Sequence, residues 1–282
     1  MTVEVFDKQA VAKSFGKAAN SYNSVAHFQR WVGDSLLKKL PSPSETNFSP
    51  KTIMDLGCGT GYFLPSLLAM YTSADYFGLD LSEEMIRFAR QTNKTEPSIS
   101  YAEPCSHYGE RCSWLTGDAE LLPLKSSSID LVFSSLSIQW CGDLKAMFEE
   151  VSRVLRKDGL FVFSTLLEGS LSELKESWSQ VDENQHVNAF SQLRDYQDAI
   201  SDAQWCVNTL DVEEKILKYQ KVSELTKELK SLGAHNMTSQ RSTKLTGKQK
   251  IQHFLAAYET FRRDDGLLPA TYQVLWGVLK KK

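Results

Sequence analysis

The chain has 282 residues, 41% of them hydrophobic and 24% charged, with a formal net charge of −3. Those values describe a soluble chain long enough to bury one substantial core, and they exclude a polybasic nucleic-acid binder and a polyacidic protein. No apolar run reaches the length of a bilayer span, so no membrane role is expected. The opening MTVEVFDKQA lacks the basic start and apolar centre of an export signal. Cysteines at 58, 105, 112, 141 and 206 are odd in number and form no secreted framework, which predicts a reducing, cytoplasmic setting. Cys105, His107 and Cys112 do not have zinc-finger spacing and no second pair follows, so no metal is expected.

In chain order, Val11, Phe15, Ala18, Ala19 and Tyr22 fall on one helical face, and a second helix is predicted over 26–40. Pro41, Pro43 and Pro50 lead into a strand at 52–55, a glycine loop and a helix over 62–70. A strand at 76–80 and a helix at 82–90 follow. Residues 91–113, polar and rich in turn formers, read as a surface insertion before a strand ending near Leu115. A strand at 129–134, a helix at 144–155 closed by Lys157-Asp158-Gly159 and a strand at 160–165 continue the alternation. Beyond these, 171–181, 222–232 and 247–261 are predicted helical, and 213–219 and 271–279 extended. Such alternation calls for a mostly parallel α/β sheet covered by helices on both faces, with ligands at the carboxyl ends of its strands.

The segment IMDLGCGTGYF, residues 53–63, carries Gly57, Gly59 and Gly61 behind Asp55. The spacing is GxGxG, not the GxGxxG of a pyrophosphate cradle. Bare backbone admits a ligand closely, and an acidic residue at a strand end accepts from an ammonium group, which suits the aminocarboxypropyl tail of S-adenosylmethionine. Asp80 ends the next strand, nineteen positions after Gly61, where its two oxygens are placed to accept both ribose hydroxyls.

DLGCGTGYF, GLDLSEEM, GDAELLPL and DLVFSSLSIQW, in that order, resemble the signature segments of class I S-adenosylmethionine-dependent methyltransferases across residues 52–165. The resemblance implies a Rossmann-like, seven-stranded, mostly parallel sheet. It also implies that Cys58 lies within the cofactor loop, Asp118 and the Ala119 backbone meet the adenine, Leu81 and Met85 pack on adenine or ribose, and Ser134 and Ser135 lie under the methionine. Over nearly the whole chain, VAKSFGKAANSYNSVAHFQR, SLSIQWCGDL, FSTLLEGSLSELKESW, VDENQHVNAF and YETFRRDDGLLPATYQVLWGV resemble the malonyl-[acyl-carrier protein] O-methyltransferases of biotin biosynthesis. The activity so implied is methylation of the free carboxylate of a malonyl thioester. A small free carboxylic acid, or cofactor binding without catalysis, is the alternative.

A carboxyl with a pKa of roughly 3 to 4 is ionised at neutral pH, so no catalytic base is expected. Catalysis then rests on alignment and the exclusion of water. Gln139 and Trp140, after the fourth strand, offer an amide and an indole to the substrate, unless Trp140 is a core aromatic. Tyr22 is a further substrate-positioning candidate, and Gln29 or Arg30 would reach the cofactor carboxylate. His186 and Asn188 lie in a loop directed at the pocket. Between residues 215 and 263, eleven basic side chains face three acidic ones, a local charge of +8. Lys227, Lys230, Arg241, Lys244, Lys248, Arg262 and Arg263 would form a basic lid for an acidic acyl carrier protein. No nucleic-acid module accompanies these residues. The chain thus divides into N-terminal helices over 1–45 that cover the cofactor and an α/β core over 46–220. A basic lid over 221–265 and a final core strand over 266–282 follow, in a protein expected to be monomeric.

Overall fold

The computed structural model describes residues 7–44, 46–93, 111–201, 204–234, 236 and 247–282. Helix α1 (Lys8–Val25) starts where the Asp7 side chain accepts from Ala10 N at 3.0 Å, and α2 (His27–Leu37) follows directly. The core then alternates through β1 (Thr52–Leu56), α3 (Leu64–Met70), β2 (Asp75–Asp80), α4 (Glu83–Thr92), β3 (Cys112–Thr116), β4 (Ile129–Ser135) and α5 (Leu144–Val154). After β5 (Leu155–Leu166) come α6 (Ser172–Ser179), α7 (Leu193–Ser201), β6 (Trp205–Tyr219), α8 (Val222–Ser231), α9 (Lys248–Glu259) and β7 (Leu268–Lys281).

Local chemistry sets these boundaries. Ser82 caps α4 by accepting from Met85 N at 3.3 Å, Glu83 and Glu84 occupy its first turn and Arg90 its last, each charge opposing the nearby end of the helix dipole. The seven strands lie in the order β3-β2-β1-β4-β5-β7-β6, parallel except for β7, which runs antiparallel to both neighbours. The order reverses between β1 and β4, which opens a crevice at their carboxyl ends. Alternate strand residues enter opposite cores. Ile53, Leu131 and Val162 pack with α2, α3, α6, α8 and α9, while Met54, Val132, Phe161 and Phe163 pack with α5 and α7.

Helices α8 and α9 lie between β6 and β7 in sequence, as expected. Two elements exceed the predicted pattern: α7 is additional to it, and β6 begins eight residues before 213, with a register shift between Val207 and Thr209 that breaks its alternation. Most of the insertion at 91–113, with Cys105 and His107, lies outside the described residues, and so do Arg241 and Lys244. Among the described residues no helix is long and apolar enough to cross a membrane.

Candidate functional site

The loop after β1 is strapped to β2, since Gly57 N and Cys58 N both donate to the Leu79 carbonyl, at 2.7 and 3.0 Å. Gly57 has φ +74°, and a Cβ there would stand 1.9 Å from Ser137 Oγ. Gly59 has φ +53° and a Cβ there would meet nothing within 4 Å. Gly57 is therefore required by packing, whereas Gly59 leaves its open side to a ligand. Gly61 backs onto Trp114 and Asn93.

Asp55, at the end of β1, lines a cleft of about 470 Å³, and Asp80, at the end of the adjacent β2, is bonded to the Gly59 backbone that lines it. Asp55 is 2% exposed and accepts from Tyr76 Oη at 2.8 Å. Burial pushes its pKa up to about 7; the charge of Asp80 adds to the rise and the Tyr76 bond opposes it. Asp80 accepts from Gly59 N at 2.9 Å and Ser82 N at 2.8 Å, and burial raises its carboxyl against those hydrogen bonds. Tyr22, Asn23, Gln29, Arg30, Thr60 and Ser135 complete the wall. The Arg30 guanidinium donates to the Asn23 carbonyl, contacts His27 Nδ1 at 2.9 Å and lies 5.7 Å from the Tyr62 ring centroid. The donor set fits a cationic ligand with vicinal hydroxyls and a carboxylate tail, the chemistry of S-adenosylmethionine.

Other expected cofactor residues are engaged within the fold. Ser134 is fully buried and its Oγ donates to the Leu56 carbonyl at 2.8 Å, so it ties β4 to β1 instead of facing the cleft; Ser135 does face it. Asp118 accepts from Lys8 Nζ at 2.6 Å through one oxygen and from Glu120 N at 3.0 Å through the other. The N-terminal helix therefore already supplies a donor at this carboxylate. Leu81 packs with Val11, Phe15 and Trp140; Met85 is 1% exposed, and Ala119 is half-buried against the core.

A second cavity, of about 520 Å³, adjoins the first and shares Tyr22 and Gln29 with it. Its walls are mainly Phe15, Phe28, Leu136, Leu166, Leu171, Phe190, Leu229, Leu232 and Tyr272, with Trp140 held edge-on to Phe15 at 5.3 Å. Leu136 and Leu171 have φ +49° and +56°, a left-handed conformation that costs leucine about 1–2 kcal/mol. Strain of this kind collects at functional sites. Gln139 lines the cavity, but its Nε2 donates to the Leu136 carbonyl at 2.8 Å and its Oε1 accepts from Thr165 Oγ1 at 3.3 Å. Its amide fixes the strained turn through its oxygen and one of its two N–H donors. Burial and the nearby Asp80 raise the Tyr22 phenol, which stays protonated and able to donate.

The loop containing His186 and Asn188 reaches the cavity through Asn188 and Phe190, while His186 lies elsewhere. Its ring stacks on Trp178 at 3.8 Å and its Nε2 lies 2.8 Å from Asp182 Oδ1. Lys250 meets the other Asp182 oxygen at 2.6 Å and holds that carboxyl well below the usual range. The long-range cavity walls, Phe15, Leu229, Leu232 and Tyr272, were not singled out as site residues in the sequence; their only signal there is apolar periodicity.

A methyltransferase domain model matches residues 54–163. The chain is 36% identical to the malonyl-[acyl-carrier protein] O-methyltransferase of Nitrosospira multiformis, over 96% of this chain and 88% of that protein. This chain belongs to the malonyl-[acyl-carrier protein] O-methyltransferase family. It is an S-adenosylmethionine-dependent methyltransferase, as the motifs lead one to expect. It is also 39% identical to the biotin biosynthesis bifunctional protein BioHC of Cellvibrio japonicus, over 98% of this chain but only half the length of that relative. Among solved structures, the YcgJ protein of Bacillus subtilis has a TM-score of 0.58 at 19% identity, covering 90% of this chain and 99% of that one. The likeness supports the class I methyltransferase fold for a malonyl-[acyl-carrier protein] O-methyltransferase family member.

Proposed function

We propose that this chain transfers a methyl group from S-adenosylmethionine to the free carboxylate of malonyl-[acyl-carrier protein], giving a methyl ester for biotin synthesis. The observation that carries this reading is the pairing of the two cavities. One is lined by the Asp55 carboxylate and an arginine; the other, reached past Tyr22 and Gln29, has no Lys, Arg, His, Asp or Glu among the described residues of its lining. A carboxylate ionised at neutral pH needs no base, and a neutral, apolar chamber keeps water from blunting its nucleophilicity.

Bound S-adenosylmethionine supplies the electrophilic methyl on its sulfonium. Asp55 would accept from the ammonium group, Asp80 from the ribose hydroxyls and Asp118, through a lone pair left beside its Lys8 contact, from the adenine, while Arg30 would hold the carboxylate tail. Gly59, with Cys58 and Ser135, gives the cofactor backbone access. Tyr22 donates to the acceptor, and Trp140 forms an apolar wall beside it. Gln139 positions the Leu136 turn.

The lid carries the partner reading. Leu229 of α8 and Leu232, which caps that helix, close the acceptor cavity, while Lys227 and Lys230 are exposed. Lys248 is exposed at the start of α9, whose residues Ile251 and Leu255 are 42% and 39% exposed at helical spacing from it, and Arg263 is exposed beyond its end. Arg262 is held by Glu259 at 2.7 Å and by the Gln220 carbonyl, so it contributes less to this surface. An acidic carrier protein complements a basic face edged by apolar side chains.

The deciding experiment is intact-protein mass spectrometry of malonyl carrier protein with this enzyme and S-adenosylmethionine, beside malonyl-CoA, free malonate and acetyl carrier protein. One added methylene on malonyl carrier protein, with none on the acetyl form, is the expected result. Turnover of free malonate at the same rate would transfer the assignment to small free acids.

A further inference from the structure

We propose that Gln29 aligns the acceptor carboxylate with the donor methyl and, with it, selects a carboxylate as acceptor. The inference rests on the methyl-transfer reading above and gives Gln29 a task beyond the cofactor carboxylate. Among the described residues only Tyr22 and Gln29 line both cavities, so the wall they share is formed by a phenol and an amide. Gln29 Oε1 is buried and has no hydrogen-bond partner. Among the described residues its amide donates no hydrogen bond either, which sets it apart from every other amide in the acceptor cavity. Gln139 is spent on Leu136 and Thr165, and Asn188 Nδ2 donates to the Ala234 carbonyl at 3.4 Å.

A buried acceptor without a partner destabilises a folded protein, and the usual reason for such an atom at a cavity wall is a ligand that completes it. An amide offers opposite polarity at its two ends. Its carbonyl end suits the positive, sulfonium side of the cofactor cleft, and its NH₂ end suits an anionic acceptor on the other side. A cationic side chain would bind the carboxylate more tightly before reaction than after, because methylation removes the negative charge. Such ground-state attraction raises the barrier, whereas a neutral amide orients the oxygen at less cost. Gln29 thus explains how a chamber with no basic residue among its described lining still recognises an anion.

The test compares Gln29→Leu and Gln29→Glu with wild type, using malonyl carrier protein as acceptor and S-adenosylhomocysteine as the binding probe. In Gln29→Leu, kcat falls on the order of 100-fold, as for a misplaced reacting group. S-adenosylhomocysteine affinity stays within about threefold, and the ligand-free protein melts at a higher temperature than wild type because the orphan oxygen is gone. Gln29→Glu sets like charges face to face, so its activity relative to wild type rises as pH falls. A parallel loss of S-adenosylhomocysteine affinity and kcat would make Gln29 a cofactor residue and overturn the proposal. An unchanged kcat in Gln29→Leu, a lower melting temperature, or a pH profile of Gln29→Glu identical to wild type would each overturn it too. Failure of the wild type to methylate malonyl carrier protein would defeat the substrate reading instead, and the melting and binding measurements on Gln29→Leu would still decide whether the amide is held for a ligand.

Discussion

The two cavities are built on opposite principles. The cofactor cleft carries charge, with Asp55 and Arg30 in its lining and Asp80 bonded to its Gly59 backbone from the next strand end, and most of its residues come from short stretches of sequence. The acceptor cavity shows no charged lining side chain among the described residues and draws its walls from α1, α2, α8, β5, β7 and four loops. A donor that is the same for every member of a superfamily is gripped by fixed local motifs. An acceptor that must react is instead enclosed, because solvation and tight ion pairing both dull its carboxylate.

Asp80→Ala breaks the charged half most severely. It removes both ribose acceptors, worth roughly 3 kcal/mol together, so S-adenosylhomocysteine affinity should fall on the order of 100-fold by calorimetry. Unchanged affinity would remove Asp80 from the site. The glycines then separate fold from ligand. Gly57→Ala drives a Cβ into Ser137 and should cost more than about 2 kcal/mol of stability by denaturant titration. Gly59→Ala should cost only the roughly 1–2 kcal/mol of its left-handed backbone while weakening cofactor binding more than Gly57→Ala weakens it per unit of lost stability.

Asp55 sharpens the comparison through pH. Its folded pKa of about 7 stands above the ordinary value of 3.8, so the folded state holds the proton longer than the unfolded state. Its contribution to stability is complete below pH 3.8, declines as pH rises towards 7 and is flat above that. A cationic ligand lowers this pKa, so cofactor binding should release a proton and weaken by up to about tenfold for each pH unit below 7. Calorimetry in buffers of different ionisation enthalpy measures the release. Equal heats in all buffers would contradict it, and Asp55→Asn should abolish it. The smallest effect is expected at the surface. Lys227→Glu with Lys230→Glu should slow carrier methylation several-fold at low salt and little at high salt, with cofactor affinity intact.

How much of this was legible follows from sequence separation. The glycine loop, Asp55 and Asp80 are adjacent to strand ends that apolar runs mark clearly, and Ser82 signals the helix after Asp80. The engagement of Asp118 by Lys8 spans 110 positions and that of Gln139 by Thr165 spans 26, and no local pattern announces either. Helix α7 carries a readable Tyr196, Ala199 and Ile200 stripe, whereas the start of β6 is disguised by its register shift. His186 was placed in the right loop, but its orientation follows from stacking on Trp178, which depends on how α6 and α9 pack.

The position of β7 governs how the molecule assembles. It spans residues 268–281 yet lies inside the sheet, between β5 and β6. During synthesis β5 therefore waits for its second neighbour through more than a hundred residues, with Val162 and Phe163 exposed along an open edge. Shortening the chain by that one strand would split the sheet internally instead of trimming its border, leaving β6 and the lid helices tethered to a core they no longer join.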